Sequence, residues 1–230
     1  MTEPRGLTRR RLLRRAGVAG LAVALGGAQA LEAAAEADGG VLPLTPEQEE
    51  GPFYVALEQI RRDIRAGRPG VPLHLRIKVV TTSARPIRSA ACDIWQCDAS
   101  GVYSDESSEG TVGQTWLRGV QLTDAKGVAE FVTIYPGHYQ GRTTHIHVKV
   151  HIGGTHGHVA HTGQLLFDDA ITTKVYALAP YASETAARVY NAQDHVYTAE
   201  HGAKSMLRLA TPADGYAGAI TLVVNPAATP

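Results

Sequence analysis

The sequence predicts a mainly β fold: an antiparallel β-sandwich with short N-terminal helices and a loop- and helix-rich C-terminal region. Three observations carry that expectation. From Val71 onward, apolar residues recur with period two in short runs. Gly, Asp and Pro punctuate the runs, as in Asp124-Ala-Lys-Gly127 and Tyr135-Pro-Gly137. No long helical pattern separates one run from the next, and strands joined this way pack as two sheets face to face. The composition agrees, since 230 residues with 44% hydrophobic and 19% charged can bury one core. Disorder and collagen-like repetition do not fit such a chain.

Residues 1–30 hold six Arg (Arg5, Arg9, Arg10, Arg11, Arg14, Arg15) against one acid, Glu3. An apolar small-residue run from Ala16 to Ala28 follows, ending in Ala28-Gln29-Ala30. A basic head, a short apolar run and an A-x-A site make an export signal. The run is shorter than the ~18 residues a spanning helix needs. Thr8-Arg-Arg-Arg-Leu-Leu-Arg14 resembles the twin-arginine signal that exports folded proteins, placing the mature chain in the periplasm or outside the cell. The whole chain has 22 basic and 22 acidic residues, so removing the signal leaves a net charge of about −5. Neither a nucleic-acid partner nor stable membrane insertion is expected of that domain.

Residues 31–44 read as a mobile Ala/Glu/Gly-rich leader, and 45–230 as one domain. Thr45-Pro46-Glu47-Gln48 reads as a helix start, stopped by Gly51-Pro52. Leu57, Ile60 and Ile64 recur at helix spacing between Ala56 and Ala66. Strands are expected at 73–79, 89–97, 115–123, 128–134, 143–152, 159–167 and 217–224, with short helices or loops from Ala170 to Glu200. Cys92 and Cys97 lie on one predicted strand, on opposite faces and roughly 16 Å apart. A disulfide needs Cα atoms within about 7 Å, so both are expected as free thiols. Trp95, between them, is expected to pack in the core.

Of ten His, seven fall between His138 and His161. In Thr144-His-Ile-His-Val-Lys-Val-His151 the alternation is strict. Ile146, Val148 and Val150 point to the core; His145, His147, Lys149 and His151 point away. Two imidazoles at i and i+2 can reach one metal ion, although a solvated polar sheet face has the same pattern. Zinc, copper and iron all accept such a pair. Tyr139, six residues before His145, offers a hard phenolate oxygen, which suits Fe(III) better than Zn(II). A ferric ion would lower its pKa far below ~10.

Tyr135-Pro-Gly-His-Tyr-Gln-Gly-Arg-Thr-Thr-His-Ile-His147 resembles the core motif of the intradiol ring-cleavage dioxygenases, the catechol 1,2- and protocatechuate 3,4-dioxygenases among them. Thr45-Pro-Glu-Gln-Glu-Glu-Gly-Pro-Phe-Tyr54, Asp93 to Tyr103, Leu117 to Gln121 and Thr162 to Phe167 match other family segments in order. The export signal and the His-rich 156–161 stretch resemble the family's exported branch. The resemblance implies a mononuclear non-haem Fe(III) held by Tyr103, Tyr139, His145 and His147. It implies a small aromatic diol and O₂ as substrates, cleaved between the two hydroxyl-bearing carbons to a cis,cis-muconate-type product. Tyr139 would also accept a substrate proton, Arg142 would stabilise developing negative charge, and Gln164 would stand near the iron-bound hydroxide. Gly51, Pro52, Phe53 and Tyr54 would line the substrate pocket. His138 stands where the family commonly has Trp, which bears on pocket shape, and association into a homo-oligomer is common in the family. Two other readings keep the sandwich: a non-catalytic transthyretin-like binding module, and a zinc hydrolase using His145, His147 and His156 or His158, which lacks a carboxylate base near the pair.

Overall fold

In the computed structural model, residues 41–56 and 59–228 are described. The predicted export signal and the leader up to residue 40 lie outside the described residues, as does Leu57. The alternation at Leu73–Val79 becomes β1 (Pro72–Val80), with Leu73, Leu75, Ile77 and Val79 fully buried. It is followed by β2 (Ala91–Trp95), β3 (Arg118–Leu122), β4 (Val128–Ile134), β5 (His145–Ile152) and β6 (His158–Leu166). After the helical region come β7 (Arg208–Ala210) and β8 (Tyr216–Val223). All seven predicted strands form. The three-residue β7 was not predicted, because it is too short to show a period.

The strands make two four-stranded sheets, ordered β4-β1-β8-β7 and β3-β2-β5-β6. Pairing is antiparallel except between β1 and β8, which run parallel from Leu73↔Tyr216 to Val80↔Val223. That pairing corrects the expectation of a wholly antiparallel sandwich. All the other strands and both helices lie between these two in sequence, as the long crossover of a parallel pair allows. The crossover holds α1 (Asp169–Tyr176) and α2 (His195–Ala199), capped by the carboxylates of Asp168 and Asp194. Three 3-10 turns accompany them, at Tyr181–Ser183, Asn191–Gln193 and Gly202–Ser205.

The predicted N-terminal helices do not form. Residues 45–54 run as an irregular strap, and 59–64 lie extended between the edges of the two sheets. Val120 N–H donates to Gln59 O and Arg61 N–H to Val120 O, on β3. Ile64 N–H donates to Val132 O and Val132 N–H to Arg62 O, on β4. Here the spacing of Ile60 and Ile64 was misleading: Ile64 is buried and Ile60 is exposed. Two edge strands with unpaired backbone groups outbid a short helix lacking a continuous apolar face.

Two apolar layers result. One fills the space between the sheets and includes Leu75, Ile94, Phe131, Ile146, Val148 and Leu165. The second lies on the outer face of the β2-β5-β6 sheet, where Trp95, Cys97 and Tyr103 are buried with Phe53, Tyr54 and Tyr139 packed on them. Both cysteines are free and buried, as expected; burial pushes each thiol up to about 12. No helix among the described residues is long and apolar enough to cross a membrane.

Ile64→Ala should cost about 2–5 kcal/mol, the range for a buried isoleucine truncated in a packed core. Urea unfolding checks this, and a loss below about 1 kcal/mol would mean that the 59–64 segment is not anchored as described.

Candidate metal and active site

The donors are set out by strand register. Trp95, His147 and Gln164 are direct cross-strand partners on β2, β5 and β6, so all three project from the same outer face. Trp95 lies flat against His147, with ring centroids 4.8 Å apart and planes 4° apart. It is buried as predicted, but under a site histidine rather than between the sheets. His145, two residues earlier, joins this face. Its Nδ1–H donates to Thr143 O at 2.6 Å, which leaves the Nε2 lone pair directed at its neighbours.

The two tyrosines arrive on loops. After β2, the Asp98 carboxylate accepts from Ser100 N and Oγ and from Val102 N, folding a tight turn before Tyr103. Gly101 in that turn has φ +81°, and a Cβ there would fall 2.2 Å from His138 O. Only glycine lets the Tyr103 loop lie against the Pro136–Tyr139 loop, and Gly137 N–H bonds to Asp98 O across the junction. The His138 ring stacks on Tyr176 of α1 at 5.0 Å, with Nε2 3.1 Å from Ala186 O.

His145 Nε2 and His147 Nε2 are 3.0 Å apart, and the Tyr139 hydroxyl is 3.3 Å from His145 Nε2. The rings of Tyr103 and Tyr139 are 5.6 Å apart. The buried Tyr103 hydroxyl and His147 Nδ1 have no hydrogen-bond partner. Burial, with Arg142 next, pushes His145 down to about 3. His147 also lies well below the ordinary range, through burial, then His145 and Arg142. Both imidazoles are therefore neutral at pH 7. Burial pushes Tyr139 up to about 12, with Arg142 pulling the other way, and burial also raises Tyr103 well above its ordinary value.

These groups fit a ferric ion. With metal–nitrogen bonds of ~2.0–2.1 Å, two ligands at right angles stand roughly 2.9 Å apart, close to the observed nitrogen separation. Two neutral imidazoles and two phenols are a mixed nitrogen and hard-oxygen set, and an ion would satisfy the orphaned Tyr103 oxygen. Among the described residues, no three His, Cys, Asp or Glu side chains gather to hold a metal. The zinc reading's His158 is partnered with Ile152, five residues along β5 from His147, or roughly 16 Å.

Arg142 adjoins this cluster and is buried. Its Nε donates to Asp194 at 2.9 Å, NH1 to Glu49 at 3.2 Å and NH2 to Gln164 Oε1 at 2.5 Å. Gln164 Nε2 donates in turn to Glu49 O at 3.0 Å, so the glutamine positions Arg142 and ties the strap. A second buried guanidinium, Arg118, donates to Phe53 O and to Ser104 Oγ and O, and its Cζ is 5.9 Å from the Tyr103 ring centre.

Of the four predicted pocket residues, Gly51 and Phe53 meet the donors. A Cβ on Gly51 would stand 3.2 Å from His147 Cε1, and Phe53 stacks on Tyr103 at 4.3 Å. Pro52 is exposed. Tyr54 sits one ring further out, against Trp95 at 4.7 Å, with its hydroxyl donating to Asp93. Sequence reasoning missed Asp194 and Glu49. Asp194 has no motif around it and lies 52 residues from Arg142; Glu49 was inside a recognised segment, where its acid was a usable signal.

Gly51→Ala should misplace the strap over His147, since φ +72° strains any side chain by about 1–3 kcal/mol. Lower metal content in the purified variant checks it. Asp194 gives a pH dependence. Burial acts to raise its pKa, but the Arg142 and Thr143 hydrogen bonds overcome this and leave it lowered. Its stabilisation is therefore present above the ordinary ~3.9 and lost as pH falls through the lowered value. Asp194→Asn should flatten that acid limb and cost about 3–5 kcal/mol at pH 7, because Arg142 stays buried and loses its one fully buried carboxylate, keeping only the half-exposed Glu49. Urea midpoints between pH 2.5 and 7 measure both effects.

A family model described as "Dioxygenase" matches residues 49–196. Catechol 1,2-dioxygenase 1 of Acinetobacter lwoffii is 31% identical over 136 residues, covering 55% of this chain and 42% of that protein. The chain thus spans about two fifths of the length of this curated relative. An intradiol ring-cleavage dioxygenase structure from Tetranychus urticae is 33% identical, with TM-score 0.76 over 82% of this chain and 97% of that one. The dioxygenase domain of a carbohydrate-binding fusion from Streptomyces sp. SirexAA-E is 27% identical, with TM-score 0.61 over 80% and 100%. The family match contains Tyr103, Tyr139, His145, His147, Arg142 and Asp194 in one continuous stretch, and the chain belongs to the intradiol ring-cleavage dioxygenase family.

Proposed function

We propose that this protein is an Fe(III)-dependent dioxygenase that cleaves catechol-type rings between their two hydroxyl-bearing carbons, consuming O₂ and giving cis,cis-muconate-type products. The observation that carries the reading is the convergence of two neutral imidazoles with two buried phenols beside a fixed guanidinium. Tyr103, Tyr139, His145 and His147 would hold the ion. When bound, Fe(III) supplies Lewis acidity and draws electron density from the catecholate, so that a ring carbon can react with O₂.

The protein's own groups do the rest. Tyr139 would hold the ion as a phenolate, and that oxygen can take a catechol hydroxyl proton. Arg142, beside it, offers a positive charge fixed before the reaction, so negative charge developing on the ring and oxygen is stabilised without reorganisation. Gln164 and Asp194 set the direction of that guanidinium. Phe53, Trp95 and the strap keep water from the donors. The six arginines and apolar run of residues 1–30 support export through a twin-arginine signal, so we place the reaction outside the cytoplasm.

The iron-loaded protein should be wine-red from tyrosinate-to-iron charge transfer, with a band that shifts when catechol is added. Tyr103→Phe should bleach much of that band and lower turnover at least about 100-fold, in line with losing a group that holds the reacting centre. A colourless protein with one zinc per chain, inactive on every catechol after iron loading, would sink the proposal.

A further inference from the structure

Glu49 is placed to read charge on the substrate. It stands two residues before Gly51, whose backbone lies against His147. Its Oε1 is 3.2 Å from Arg142 NH1 and 3.3 Å from Nε2 of His195, an exposed histidine. The Glu49 carboxylate thus lies between the guanidinium at the donors and solvent. Its backbone carbonyl is held by Gln164, so the strap cannot move away without breaking that bond.

The cations around the donors are already engaged. Arg142 faces two carboxylates, Asp194 and Glu49, which outnumber its single positive charge. Arg118 spends its donors on Phe53 O and on Ser104. Lys149 is paired with Glu50 and stands over the Tyr54 ring. His195, at the rim, is turned to Glu49 itself. A carboxylate carried on a substrate ring and drawn to Arg142, the cation beside the donors, would have to lie beside Glu49 or displace it. Like charges brought that close in a partly desolvated site repel strongly, and this is how a site rejects one substrate while admitting its neutral analogue.

We infer that Glu49 is a specificity-determining residue that excludes ring-borne carboxylates, so that the substrates are catechols whose remaining ring substituents are uncharged. This rests on the ring-cleavage reading above and narrows it.

The test compares two ligands of nearly the same size that differ in charge, 3,4-dihydroxybenzamide and 3,4-dihydroxybenzoate, with catechol as reference. Each is titrated under argon into the iron-loaded full chain, with affinity read by calorimetry and by the shift of the charge-transfer band. The amide should bind at least about tenfold more tightly than the benzoate, one decade in Kd. Glu49→Gln should bring the two within about threefold by strengthening benzoate binding. Benzoate binding as tight as the amide in the unaltered protein overturns the inference, as does an unchanged ratio in a folded Glu49→Gln variant. Should that variant not fold, the ratio in the unaltered protein still decides. If catechol is bound and cleaved but the ratio is near one, only the specificity role falls. If catechol neither binds nor is cleaved, the ring-cleavage reading falls and takes this inference with it.

Discussion

One guanidinium joins three parts of the chain that are far apart in sequence. Arg142 lies on the loop into β5, and its partners are Asp194 at the head of α2, Gln164 on β6 and Glu49 on the N-terminal strap. A buried cation is tolerated only where its partners are well placed, because desolvation costs several kcal/mol per ion. The arrangement therefore constrains all three segments at once. Asp194 also accepts from Thr143 N and caps α2 through Tyr197 N, so helix, loop and strap share one electrostatic junction. Remove the junction and the donors next to it lose both their cover and the charge that acts on them.

The second constraint is dryness. A sheet face that points away from the sandwich core would ordinarily be solvated, and polar side chains there would keep ordinary pKa values. Here Trp95, Phe53 and Tyr103 turn that face into a second apolar layer. The same burial that keeps the imidazoles neutral also raises the phenols. Histidines are thus ready to coordinate without losing a proton, whereas each tyrosine needs a strong positive charge to ionise. The site is poorly satisfied by its own groups, with an orphaned phenol oxygen at its centre, and that suits a highly charged ion.

What could be read from the sequence follows from the range of each interaction. Strict alternation at His145–His151 placed three side chains in the core and the histidines outside it, and the structure agrees. The turn that delivers Tyr103 follows from local Asp and Gly chemistry at Asp98–Gly101. The tyrosines were another matter: Tyr139 could be proposed from its nearness to His145, but Tyr103 came only through a family motif. Ile60 and Ile64 were misread because a four-residue spacing cannot report that two sheet edges lie waiting on either side. Asp194 was invisible, since nothing local distinguishes a carboxylate that pairs with an arginine 52 residues earlier from one that only caps a helix.

The strap explains why so much of the site depends on completed folding. Glu47 pairs with His161 and Thr162 N, Gln48 with Gln164 N and Glu200 O, and Glu50 with Lys149. The Gln48 contacts span 116 and 152 residues of sequence. Such contacts repay their loop-closure entropy only after both sheets have formed. In the unfolded chain Tyr103, Tyr139 and the histidine pair are unconnected, so an ion that needs all four binds the folded state alone. Binding of that kind would be folding free energy and would stabilise the sandwich, with its strap and Arg142 junction, by mass action. The cover, the buried charge and the donor set therefore form one cooperative unit.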